Sequence, residues 1–236
     1  MTDGSHDDKP ERIDRRHLIL NLLATPLCFV LFMFLPAGTW AWTKGWLFIV
    51  VFVALAVLAW LFMRKVNPDL LAARINAYQG TKPWDKVLLG IFFLTALAIF
   101  PVAALDDGRF RWFPVPEWVS LLGYALLLSG MVLLTWVEAV NKFFEPTVRI
   151  QTDRGQTVID TGPYAIVRHP GYVSWLPMSV GTALCLGSLW ALIPAGLSML
   201  VLITRTQWED QTLQAELPGY QEYTERVRYR LLPWVW

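Results

Sequence analysis

The sequence predicts an all-α integral membrane protein of about six transmembrane helices, with a C-terminal helical hairpin and short cytoplasmic C-terminal helices. Three observations carry that prediction. Of the 236 residues, 55% are hydrophobic, above the ~45–50% of an ordinary soluble domain. The apolar residues fall in blocks, Leu18–Gly38, Gly45–Met63, Val87–Leu105 and Trp118–Val137, each close to the ~20 residues a helix needs to cross a bilayer. A longer block, Gly171–Thr204, follows and holds no charged residue. Third, positive charge is lopsided. With the N-terminus in the cytoplasm and the last block folded as two helices, all of the 20 Lys and Arg except Lys44, Arg109 and Arg111 fall on inner segments. That bias sets orientation and places both termini in the cytoplasm. A single last span would move Arg205, Arg226, Arg228 and Arg230 outside, so the even count is preferred.

Taken in order, residues 1–16 read as a charged cytoplasmic tail and 17–137 as transmembrane helices one to four. The first apolar run has no small-residue cleavage pattern after it and reads as a retained helix. Trp40, Trp42 and Trp46, between spans one and two, suit an interfacial aromatic belt. The inner loop 64–86 is basic and mildly amphipathic, suited to lipid headgroups. The outer loop 106–117, with Pro114 and Pro116, reads as a plain connection. Residues 138–236 gather the polar side chains into one region. Cys28 and Cys185 both lie in apolar spans, giving neither a disulfide framework nor a zinc site.

The hairpin, about residues 171–206, follows from length. Gly171–Thr204 as one helix would run about 51 Å at ~1.5 Å per residue, well beyond a ~30 Å hydrocarbon core. Gly187-Ser188 at its midpoint supplies the turn. Small residues (Gly181, Ala183 and Gly187 on one arm, Ala195, Gly196 and Ser198 on the other) are expected to pack the arms closely. Pro177 and Pro194 are expected to kink them. Beyond Thr204 the second arm continues as a helix to Pro218-Gly219, and a short helix Tyr220–Arg228 follows.

Folding the hairpin brings its two feet to one side, which sets Arg168-His169 beside Arg205 and Glu209. Pro170 biases His169 away from helical geometry, so the imidazole leaves a defined turn. The convergence of these groups at the cytoplasmic boundary predicts a polar pocket. Plainer readings stay open. Arg205 and Glu209 are four apart and also fit an intrahelical ion pair, as Asn141 and Glu145 fit a helix-end pair. The tail arginines also fit phospholipid anchors. No GxxxxGK[ST], GxGxxG or HExxH motif is present. Of the three histidines, His6 lies in the tail and His17 starts span one, so no multi-histidine metal site is expected.

The run GPYAIVRHPGY, an apolar hairpin, the acidic pair Glu209-Asp210 and LPGYQEYTERVRYRLLP together resemble the isoprenylcysteine carboxyl methyltransferase family, relatives of the membrane phospholipid methyltransferases. The likeness covers about residues 138–236. It implies an S-adenosylmethionine-dependent methyltransferase whose cofactor sits at the hairpin feet, without a soluble Rossmann domain. Carried onto these positions, it implies that His169, Tyr172 and Glu209 contact the cofactor, with Arg168, Gly162 and Tyr164 shaping its site. Arg205, Asn141 and Glu145 are the candidates for handling the acceptor. Two departures stand out: Ser174 replaces a common glycine, and the second acidic residue is Asp210 where glutamate is usual, which favours Glu209. The implied partners are a lipophilic or small-molecule methyl acceptor (carboxylate, amine or thiol) and membrane lipids, with no nucleic acid. An NADPH-dependent sterol-type reductase, which shares a similar RHP turn, and a non-enzymatic scaffold or transporter are the alternatives.

Overall fold

The structure, a computed structural model, describes residues 27, 29–73 and 80–236. The expected cytoplasmic tail, most of the first apolar block and the middle of the inner loop lie outside the described residues. Helix α1 covers residues 29–37. It is followed by α2 (Thr43–Val66), the short α3 (Pro68–Ala73), α4 (Pro83–Ala103), α5 (Glu117–Val140), α6 (Pro170–Cys185), α7 (Leu192–Glu216) and α8 (Tyr220–Arg226). No strand occurs among the described residues. Three helical stretches are long and apolar enough to cross a membrane: Thr43–Val66, Pro83–Phe110 and Glu117–Val140. These are the features of an integral membrane protein.

Local chemistry sets the ends. Helix α2 closes on Arg64 and Lys65, cations suited to the negative end of the helix dipole. Helices α4 and α6 each open with proline in the first turn, where no amide hydrogen is needed. Helix α7 ends at Glu216, capped by Leu217 ahead of Pro218 and of Gly219, whose φ of +81° glycine adopts freely. The hairpin turn falls where expected, with Gly187 at φ +75°.

Two expectations about the hairpin need correction. The close packing lies between α5 and α6, with α7 set mainly along α4. A Cβ on Gly181 would sit 2.7 Å from Gly123 O of α5, and one on Gly130 would sit 2.7 Å from Ser174 O of α6. Gly196, expected in the same seam, faces nothing within 4 Å. The arms of the hairpin are joined by Trp175 Nε1 donating to Ser198 Oγ at 2.8 Å. Pro177 is inside α6, but Pro194 occupies the first turn of α7 and removes no interior hydrogen bond.

The two ends of the bundle are tied differently. At one end the start of α2, the end of α4 and the hairpin turn meet. Here the plain outer connection is corrected too: α4 runs on as a π-helical turn, Ala104–Phe110. Its Asp106, fully buried, accepts from Ser188 Oγ at 2.7 Å and from Phe113 N–H at 3.2 Å. Asp107 takes Lys44 Nζ at 2.6 Å and Trp42 Nε1 at 2.7 Å. Trp42 is buried in the core, so only Trp40 and Trp46 of the three expected belt residues are exposed. At the other end Asn67 Nδ2, after α2, donates to Glu138 O near the end of α5. There too Lys82 N–H donates to Val148 O. All the segments expected on the inner side that are described meet at that end.

Candidate functional site

The polar cluster is built on two adjacent stripes of α7. Arg205, Glu209 and Leu213 recur every four residues and face a cleft, while Asp210 and Gln214 point toward the RHP turn. The cleft lies between the feet of α6 and α7 and is walled by the 141–160 loop. Its lining mixes Glu209, Arg205 and Tyr172 with apolar Phe144, Leu213 and Val158.

Asp210 is the hub beneath it. Its carboxylate, fully buried, accepts from Arg168 Nε (2.8 Å) and Nη2 (3.0 Å), Tyr220 OH (3.1 Å), Gln214 Nε2 (2.8 Å) and Arg230 Nε (2.9 Å). His169 Nε2 lies 3.2 Å from Oδ1. A carboxylate has about four lone-pair sites, so Asp210 has nothing left for a ligand. Burial works against its ionisation, but the hydrogen bonds from His169 and Arg168 prevail and hold the carboxyl well below the usual range. Burial pulls the Arg168 guanidinium down, and the Asp210 bond more than offsets it.

Glu209, one residue earlier, is placed in the opposite way. Tyr172 OH donates to its Oε2, while Oε1 stands 4.0 Å from His169 Nδ1. The Glu209 side chain is 23% exposed and keeps free acceptor capacity toward the cleft. Tyr172 stacks on His169 with ring planes 6° apart. The Arg205 guanidinium lies 5.4 Å from the Tyr172 ring centre. The structure therefore brings Arg168 and His169 together with Arg205 and Glu209, as the hairpin geometry predicted, and sets Tyr172, named by the resemblance, among them.

Arg205 does not pair with Glu209 along the helix. Its Nε and Nη2 grip Asp85 at 2.6 and 3.1 Å, and Nη2 also donates to Pro146 O at 2.6 Å. Asp85, fully buried in the first turn of α4, also accepts the Val148 N–H at 2.7 Å. Sequence reasoning missed Asp85; the available signal was an acidic residue two positions ahead of an apolar block and two after Pro83, in what would be a first helical turn. Asn141 and Glu145 do not form a helix-end pair either, because α5 stops at Val140. Asn141 donates to Tyr164 OH at 2.8 Å and accepts Phe143 N–H at 2.8 Å. Glu145, with its side chain 1% exposed, is held by Arg149 through Nε at 2.8 Å and Nη2 at 2.9 Å. Gln151 Nε2 bonds Phe143 O, which makes the loop a self-supporting wall. Burial raises the Tyr164 hydroxyl above its ordinary value. Gly162, at φ +58°, turns the chain beside Val140 and does not reach the cleft lining.

These nine candidates all fall inside one stretch that other proteins share. Residues 121–215 match the isoprenylcysteine carboxyl methyltransferase (ICMT) family. The likeness read from GPYAIVRHPGY is borne out, and the match runs from α5 to the end of α7. A similar protein is Protein-S-isoprenylcysteine O-methyltransferase B of Arabidopsis thaliana, 27% identical over 113 residues. That alignment covers 47% of this chain and 57% of the relative. Among the described residues, no group of three or more His, Cys, Asp or Glu is placed to hold a metal ion.

Proposed function

We propose that the protein is an S-adenosylmethionine-dependent methyltransferase acting at the cytoplasmic face of the membrane on a lipophilic acceptor. The observation that carries the reading is the division of labour at the acidic pair: Asp210 is saturated by the fold, while Glu209 turns Oε1, which takes no hydrogen bond from the described residues, to a cleft lined by the RHPGY turn. The ICMT match over the same residues supports it.

The donor set fits the cofactor. Glu209 suits an ammonium or ribose hydroxyls. The apolar patch of Phe144, Leu213, Leu217 and Val158 suits a heterocycle. Arg205, its charge met by Asp85 and its guanidinium placed against Tyr172, offers a fixed, positioned edge to the cleft. When bound, the sulfonium supplies an electrophilic methyl group for in-line displacement. The chain's own task is orientation. Tyr172 fixes the Glu209 carboxylate, Asp85 fixes the Arg205 guanidinium, and the 141–160 wall limits water. A carboxylate acceptor needs no base, whereas an amine or thiol must lose a proton.

Calorimetry with S-adenosylhomocysteine on the purified protein in detergent tests the reading. Wild type should bind. Glu209→Ala should weaken binding at least about tenfold, the loss of a charged hydrogen bond worth ~1.5–3 kcal/mol, while the variant still unfolds cooperatively. Binding of NADPH and not S-adenosylhomocysteine would replace the reading with a sterol-type reductase. Binding of neither would favour a non-enzymatic protein. Radiolabelled cofactor tried against prenylated cysteine analogues, lipid extracts and small thiols then identifies the acceptor.

A further inference from the structure

The last ten residues form a built element that methyl transfer does not explain. Their first half is pinned to the RHP turn. Arg168 N–H donates to Tyr229 O at 2.9 Å and His169 N–H to Arg230 O at 3.0 Å. Arg168 Nη1 holds Val227 O and Arg228 O, both at 2.8 Å. Their second half closes on itself. The N–H groups of Arg230 and Leu231 donate to Trp236 O at 2.9 and 3.1 Å, and those of Val235 and Trp236 to Leu232 O at 3.1 Å. Inside this turn Trp234 takes φ +63°, a conformation that disfavours bulky side chains. Its ring centre lies 6.3 Å from that of Tyr229.

That conformation turns apolar groups outward. Trp234 is 87% and Val235 77% exposed, the highest values among the large hydrophobic side chains described. Leu232 is exposed as well. Their distance from the end of a candidate span is bounded by the helices. Gly171, in the first turn of α6, packs against Val137 near the end of α5 and Phe144 in the loop after it, and α5 qualifies as a membrane span. Residues 229 and 230 are bonded to Arg168 and His169 just ahead of α6, so residues 232–235 lie within about 17–18 Å of chain from that turn. Tryptophan concentrates at membrane interfaces because its ring is apolar and its N–H is polar. Arg228 is exposed beside the turn and offers a cation for headgroup phosphates.

We propose that residues 232–235 are a membrane hook: Trp234 and Val235 seat in the interface of an anionic-lipid bilayer, with Arg228 meeting the headgroups. The hook steadies the floor of the cleft against the membrane surface, and it holds whether or not the cleft transfers methyl groups. The test is a nitroxide on Val235→Cys in the full chain, with Cys28 and Cys185 replaced, in nanodiscs of phosphatidylcholine with phosphatidylglycerol. A label at Leu232→Cys guards against local misfolding, and one at Asp153→Cys, on the exposed loop, is the aqueous reference. The expected result is a higher oxygen-to-nickel collision ratio at 235 and 232 than at 153, falling when Arg228→Gln is added or phosphatidylglycerol is omitted. Water-like ratios at both hook positions would overturn the proposal. So would dipolar broadening between labels, which would assign the turn to a second copy of the chain, or a ratio indifferent to both charge changes.

Discussion

Glu209 and Asp210 are chain neighbours with opposite surroundings, and the difference decides what each substitution should do. Asp210→Asn would leave Arg168 and Arg230 buried or half-buried without their counter-charge, at a cost of about 3–5 kcal/mol. Because the folded Asp210 carboxyl is held below its unfolded value of ~3.9, its contribution is fully present above that pH. It is lost as pH falls through the depressed folded value. Thermal unfolding in detergent should therefore show an acid-dependent loss starting below about pH 4 that is reduced in Asp210→Asn, measured against wild type across the same buffers. Asp85→Asn should also cost about 3–5 kcal/mol, since it strips the buried Arg205 of its partner. A thermal shift close to zero for Asp85→Asn would show that the pair does not hold the α4–α7 contact. The meeting of the RHP turn with Arg205 and Glu209 was legible in the sequence because a hairpin must return its feet to one side, whereas Tyr172 was named by the resemblance. Asp85 was not, since nothing in the local pattern says that the first turn of α4 meets the second half of α7.

At the scale of elements, glycine marks where helices touch. Gly181→Leu should destabilise by about 1–3 kcal/mol or more, because its side chain would meet backbone atoms of Leu127 and Gly123, which have little room to yield. Gly196→Ala, with nothing near it, should be neutral or stabilise slightly, up to the ~1 kcal/mol difference in helix propensity. Guanidinium or thermal melts of the two variants decide whether the seam is α5–α6, as found, or the α6–α7 seam expected from small residues alone. At the hairpin turn, Gly187→Ala should cost about 1–2 kcal/mol from the left-handed backbone. Further cost should come from displacing Asp107 Oδ1, 2.7 Å from the new Cβ. Retained stability would mean that the Lys44–Asp107–Gly187 contact does not form. Small residues indicate that some helix comes close; they carry no information about which one, because every neighbour presents a similar apolar surface.

For the whole molecule, the alternation of spans places residues 39 and 153 at opposite ends of the bundle, and 153 and 222 at the same end. Single cysteines at Thr39, Asp153 and Glu222 should accordingly label from two sides of an oriented membrane, with 153 and 222 sharing one. If 153 and 222 label from different sides, the feet of the hairpin do not share a compartment and the cleft has no common floor. By itself the sequence determined the all-helical membrane class, the hairpin with its turn at Gly187, and the meeting of the RHP turn with Glu209. Those follow from apolar length, charge asymmetry and glycine placement, which act along the chain. Only the tertiary structure decided that Asp210 is spent on the fold while Glu209 stays open, that Arg205 answers to Asp85, and that α6 packs on α5. Such pairings are chosen by distance between residues far apart in sequence, where one buried carboxylate can satisfy several donors and a neighbour a single residue away, about 100° around the helix, faces a cleft.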